Sequence, residues 1–120
     1  MTKPQAWGYP SVAGFHEPAW GSEADKIRPA VIVSNDGANE SVERNGRGVV
    51  SVVPLTSNTT RVLSFQVLLR ADESRLPKDS KAQCEQVRAV APDRLLHRVG
   101  TVPRQRMADI DVALRRHLAL

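Results

Sequence analysis

Gly48-Val49-Val50-Ser51-Val52-Val53-Pro54-Leu55-Thr56 is the stretch whose reading decides the fold. Its valines suit a pleated, buried strand, and nine residues is too short for an amphipathic helix to be the better reading. Pro54 cannot donate to a ladder, so the late part of this strand is expected at an edge, a bulge or an exit. Upstream, Pro29-Ala30-Val31-Ile32-Val33-Ser34 is a second apolar run of strand length, stopped by the turn signal Asn35-Asp36-Gly37. Residues 37–44 read as a short helix or a loop, and Asn45-Gly46 as another turn. Downstream, Ser57–Thr60 is a polar loop, and Val62–Leu69 alternates loosely as a third strand. Asp72–Asp79 is a charged loop containing Pro77. Lys81–Val90 reads as a strand whose phase breaks at Val87. Pro92–His97 suggests a short helix with proline at its first position, and Val99–Val102 a short strand. From Pro103, the spacing of Met107, Ile110, Leu114 and Leu118 makes one apolar stripe of a terminal helix. Strands in the middle and a helix at the end predict an α+β fold with an antiparallel, barrel-like sheet.

The chain has 120 residues, enough for one domain with a modest core. Four of the five aromatic residues (Trp7, Tyr9, Phe15 and Trp20, with Phe65 the fifth) precede residue 21, so the core beyond must be aliphatic. A single cysteine, Cys84, excludes an internal disulfide and a cysteine-based zinc site. The residues show no membrane span and no secretory signal, and a reducing, cytoplasmic setting is expected.

Charge is unevenly placed. The net charge is +4. All of the excess falls after residue 85, where Arg88, Arg94, Arg98, Arg104, Arg106, Arg115 and Arg116 outnumber Asp93, Asp109 and Asp111. A basic stretch of this kind attracts polyanions, although a solvated helix face gives the same count. No phosphate-cradling glycine motif is present, and His16, His97 and His117 are scattered at no metal-ligand spacing. No metal or cofactor is therefore expected. His97 and His117 read as helix-end cations, and Cys84 as a small buried hydrophobe.

Polar residues at the ends of apolar strands carry the candidate chemistry. Arg28 precedes one strand, Thr56, Ser57 and Asn58 leave another, and Gln86 and Arg88 share a face of a third. A guanidinium fork beside a hydroxyl suits phosphodiester cleavage, because it stabilises charge developing on phosphate oxygens. Spacing alone also permits a solvated arginine and a threonine present for its strand propensity.

The ordered blocks Gly21-Ser22-Glu23, Lys26-Ile27-Arg28-Pro29-Ala30-Val31-Ile32-Val33-Ser34-Asn35-Asp36, Val53-Pro54-Leu55-Thr56-Ser57-Asn58-Thr59, Asp79-Ser80-Lys81-Ala82 and Glu85-Gln86-Val87-Arg88 continue with Arg94-Leu95 and Val99-Gly100. With the closing helix, they resemble the MazF/PemK-type mRNA interferase toxins over roughly residues 19–120. The resemblance implies an SH3-like barrel with short helices and a C-terminal amphipathic helix, working as a homodimer. It implies a cytoplasmic, metal-independent endoribonuclease acting on single-stranded mRNA at a short preferred sequence, with an acidic MazE-like antitoxin as its partner. It further implies that Arg28 and Thr56 are catalytic. Arginine is too weak an acid for easy proton transfer, so Arg28 is weighted towards electrostatic stabilisation. Family contacts to RNA fall on Ser57, Asn58, Gln86 and Arg88, and on Ser22 and Lys26 in the loop before Arg28. Two other readings stand beside this one: a gyrase-poisoning toxin of the CcdB type, and a catalytically inactive module that binds RNA or antitoxin.

The N-terminus departs from the family pattern. Residues 1–19 show no strand of the R-G-E-I-W-x-V-D-L-D-P type that normally precedes the Gly21-Ser22-Glu23 block. The expected organisation is therefore an atypical segment, 1–19, followed by a toxin domain, 20–120. A diverged strand, a misassigned start and a shifted reading frame all fit, with the last two favoured.

Overall fold

The computed structural model describes residues 11–17 and 26–120. Among the described residues seven strands form the sheet: β1 (Ser11–Glu17), β2 (Lys26–Ile32), β3 (Val50–Thr56), β4 (Gln66–Leu69), β5 (Ser80–Gln83), β6 (Arg88–Val90) and β7 (Leu95–Thr101). Helices α1 (Asp36–Asn45), α2 (Ala71–Ser74) and α3 (Arg104–Leu118) complete the fold. The strand order is β4-β5-β3-β2-β1-β7, with β6 pairing β3 off this path and every pair antiparallel. The expected α+β class and barrel-like sheet are found, as an open path rather than a closed ring.

At the N-terminus the structure shows a strand that the sequence pattern did not reveal. A strand does precede residue 20: β1 pairs Val12 with Val31 and Phe15 with Arg28 on one side, and Ser11 with Thr101 on the other. It escaped the pattern reading because Ser11, Val12, Ala13, Gly14 and Phe15 are all buried. A strand covered on both faces loses its period-2 signature. Gly14 is not a breaker here. A Cβ at that position would come within 3.3 Å of Ile27 Cγ2 and 3.6 Å of Leu96 Cδ1, so the glycine admits close neighbours.

Other boundaries also move. Pro54 is neither at an edge nor at an exit. β3 is flanked by β2 on one side, and on the other by β6 at Val50–Val52 and β5 at Leu55–Thr56. Pro54 falls in the interval between those two ladders, where a missing N–H costs least. The third strand is shorter than expected, starting at Gln66. The charged loop after it contains α2, whose first N–H is capped by Asp79 Oδ1 at 2.7 Å. The 81–90 strand is split at its phase break by a one-turn 3-10 helix, Cys84–Gln86. Only Pro92–Arg94 of the next expected helix is helical, and His97 lies in β7 instead of at a helix end. Residues 37–44 resolve as helix, with Asn35 Oδ1 capping Ala38 N–H at 2.8 Å.

The core lies on both faces of β1–β3. On one face Val12, Val31, Val53 and Leu55 pack with Val67, Leu69, Leu76, Ala82 and Cys84 under Met107, Ile110 and Ala113 of α3. Met107, Ile110 and the partly buried Leu114 are the expected stripe, Ala113 joins them, and Leu118 at 49% exposure does not. Pro103 stands at the N-cap of α3, and the last turn carries Arg115, Arg116 and His117, favourable to the helix dipole. On the other face Ala13, Phe15, Ala30, Ile32, Val50, Val52, Val90 and Leu95 form a smaller cluster. No described helix is long and apolar enough to cross a membrane.

Candidate active site

The β2–β3 ladder pairs Ile32 with Val52, Val31 with Val53 and Ala30 with Pro54. The ladder ends there; two residues on, by period-2 alternation, Arg28 lies on the same face of β2 as Ala30 and Thr56 on the same face of β3 as Pro54. On its other side Arg28 is paired with Phe15 of β1. Phe15, Arg28 and Thr56 therefore form a row across three strands, at the end of the smaller core.

A pocket of roughly 250 Å³ opens at this row, lined by Arg28, Pro29, Leu55, Thr56 and Ser57 on one side and by Leu76, Pro77, Lys78 and Ser80 on the other. Arg28 and Thr56 are half-buried, and Arg28 Nε is shielded from solvent. Thr56 Oγ1 accepts a hydrogen bond from the Asn58 backbone N–H at 3.3 Å. That bond orients the hydroxyl and leaves its proton available to donate. Asn58 Oδ1 in turn accepts from Thr60 N–H at 3.4 Å, so the loop leaving β3 is tied to itself.

Arg88 reaches the same row from β6. Its guanidinium carbon lies 5.7 Å from the centroid of the Phe15 ring, within cation–π range. Two arginines thus approach one buried aromatic, Arg28 as its strand partner and Arg88 over its face. Ser57 is exposed and lines the pocket, whereas Asn58 and Gln86, exposed on the loop after β3 and on the 3-10 turn, lie outside its lining. Lys26 opens β2, paired through the backbone with Glu17. Ser22 lies outside the described residues. Cys84 supplies no nucleophile. Burial, helped by neighbouring Glu85, pushes its thiol up to about 12.

Sequence reasoning missed Phe15 and the Leu76–Ser80 wall. Asp79 and Ser80 stand in one of the quoted blocks, but nothing local to them said that the loop folds back onto β2 and β3. Phe15 was visible only as an aromatic next to Val12 and Ala13.

The model of the PemK-like, MazF-like toxins of type II toxin–antitoxin systems matches residues 12–118, which takes in the row of Phe15, Arg28 and Thr56. The chain belongs to this family. The matched span begins inside β1, so the strand that seemed to be missing is part of it. The chain is 53% identical over 104 residues to endoribonuclease MazF9 of Mycobacterium tuberculosis, covering 87% of this chain and 88% of that one. It is 35% identical over 104 residues to endoribonuclease MazF2 of Mycobacterium bovis, covering 86% and 88%. Among solved structures, a MazE–MazF crystal structure from Deinococcus radiodurans has a TM-score of 0.76 at 18% identity, covering 98% of this chain and 99% of that one. At that identity the likeness speaks for the fold alone.

Proposed function

We propose that this chain is the toxin of a type II toxin–antitoxin pair and acts as a metal-independent endoribonuclease on single-stranded mRNA at a short preferred sequence. The observation that carries the reading is the pocket that Arg28 of β2 and Thr56 of β3 line together. The name endoribonuclease borne by relatives 53% and 35% identical supports it. In the reaction, the 2′-hydroxyl oxygen of a ribose attacks the adjacent phosphorus, and the bond from phosphorus to the 5′-oxygen breaks. The 2′-hydroxyl loses a proton and the departing 5′-oxygen gains one, leaving a 2′,3′-cyclic phosphate and a 5′-hydroxyl end. Arg28 places its fork on the non-bridging oxygens, where negative charge grows. Thr56 donates its hydroxyl proton to the same phosphate, held in direction by the Asn58 N–H. Ser57, Asn58, Gln86, Arg88, Lys26 and Ser22 are proposed as RNA contacts, with Arg88 also set by Phe15.

The chain is further proposed to work as a homodimer and to be blocked by an acidic, partly disordered antitoxin that folds as it binds over the basic groove. The test is incubation of purified protein with a long RNA in EDTA. Discrete cuts with 5′-hydroxyl ends, strongly reduced in Arg28→Ala, are expected. RNA that is bound and left whole would select the binding-only reading. Inhibition of supercoiling by gyrase without RNA cleavage would select the CcdB-type one.

A further inference from the structure

The pocket has a second wall, and that wall is built to hold its shape. α2 ends at Arg75 in the left-handed conformation (φ 63°), which turns the chain back towards β2 and β3. Leu76 is buried, and its N–H donates to Ser74 Oγ at 3.3 Å. Ser80 Oγ donates to the Lys78 carbonyl at 3.3 Å, and Asp79 Oδ1 is engaged by the Ala71 N–H at 2.7 Å. Gly100 of β7 packs closely against this segment. A Cβ there would lie 2.8 Å from the Ser74 carbonyl oxygen and 3.0 Å from Leu76 Cδ2. The backbone on both sides of Lys78 is thus fixed, while its side chain is exposed and lines the same pocket as Arg28 and Thr56.

Four of the nine lining residues, Pro29, Leu55, Leu76 and Pro77, are apolar, so a charge at the mouth is less screened than on open surface. At roughly 250 Å³ the pocket is below the usual range of about 300–1,000 Å³ for drug-sized ligands, which suits one unit of a polymer at a time. A polynucleotide brings one phosphate per unit, and Arg28 is committed to the phosphate that reacts. We infer that Lys78 is a phosphate-binding residue of this pocket, holding the phosphate next to the scissile one. The inference rests on the endoribonuclease reading above. Lysine suits the role. Its ammonium is a point charge on a flexible stem that can follow a phosphate without imposing the planar geometry needed at the reacting centre.

The test is cleavage kinetics on a single-stranded RNA oligonucleotide carrying one mapped cut site, across a series of salt concentrations, for wild type, Lys78→Ala and Lys78→Arg. One lost phosphate contact on a single strand makes the slope of log(1/KM) against log salt shallower by about 0.7. Lys78→Ala is expected to show that change, a KM raised roughly three- to tenfold at low salt, a kcat within about twofold and an unchanged melting temperature. Lys78→Arg keeps the charge and is expected to retain the wild-type slope. A Lys78→Ala variant with wild-type KM and slope overturns the inference while wild type still cuts, as does a Lys78→Arg variant that behaves like alanine. A wild type that cuts no RNA removes the endoribonuclease reading and this inference together.

Discussion

The two faces of β1, β2 and β3 are made from alternate residues of the same strands, yet they end differently. On one face Val12, Val31, Val53 and Leu55 continue into side chains of β4, β5 and α3, so the apolar surface is closed off along its length. On the other, Ala13, Phe15, Ala30, Ile32, Val50 and Val52 make a smaller cluster with Val90 and Leu95. There the ladder of β2 and β3 ends at Ala30 and Pro54, and the next residues on that face, Arg28 and Thr56, are polar and line one pocket. The larger face holds the fold together. The smaller one lets a guanidinium and a hydroxyl share a sheltered strand end without having to carry the stability of the sheet. The alternation that makes a strand therefore separates the two duties on one piece of chain.

The sharpest way to break this comparison is to remove the polar row. Arg28→Ala is expected to lower kcat for RNA cleavage by about 10²–10³, the usual effect of deleting one charge-stabilising donor. Thr56→Ala should follow with a smaller loss, and both should melt close to wild type because neither side chain belongs to an apolar cluster. Arg28→Lys restores charge without the two-pronged fork and should recover little of the rate. Comparable losses of rate and of melting temperature in Arg28→Ala would show that the two duties are not separate.

The second test reverses the roles. Ile110 is fully buried at the centre of the larger face, and Ile110→Ala is expected to cost about 2–5 kcal/mol in urea unfolding. The folded fraction should keep its cleavage rate. Phe15→Leu on the smaller face keeps an apolar filler but removes the ring beneath Arg88. The lost cation–π contact, about 0.5–2 kcal/mol, should appear mainly as weaker RNA binding rather than as unfolding. Ile110→Ala impairing kcat while Phe15→Leu leaves RNA binding untouched would invert the assignment of the faces.

How legible this was in the sequence follows the same division. Runs one strand long, such as Val50–Thr56, announce themselves by composition, and the stripe Met107–Ile110 announces α3 by period. Arg28 and Thr56 could be named as candidates and, by resemblance, as a pair. Their meeting in one pocket depends on the pairing of β2 with β3, which no local pattern encodes. β1 was hidden for a different reason: burial on both faces erased its alternation, and Gly14 imitated a turn. The Leu76–Ser80 wall was hidden because a short helix closed by a left-handed Arg75 has no periodic signature. What could be read was chemistry and local period. What could not was which distant segments the sheet brings side by side.

The smallest expected effect lies in the larger face. Cys84 is fully buried there, and burial together with Glu85 raises its thiol from 9.0 to about 12. In the unfolded chain the same thiol ionises near 9.0, so above that pH the unfolded state gains a favourable deprotonation that the folded state is denied. The resulting contribution to stability is complete below pH 9.0 and declines as the pH rises from there towards about 12. Urea midpoints measured from pH 8 to pH 10.5 are expected to fall more steeply for wild type than for Cys84→Ala. The difference between the two isolates the thiol from tyrosine and lysine titration, which both proteins share. Alkylation by iodoacetamide at pH 8 should be slow in the folded protein and fast in urea, since only the exposed thiolate reacts. Parallel pH profiles with rapid labelling of the native chain would mean that the larger face opens readily at Cys84. The contrast between a closed structural face and an open chemical one would then have to be redrawn.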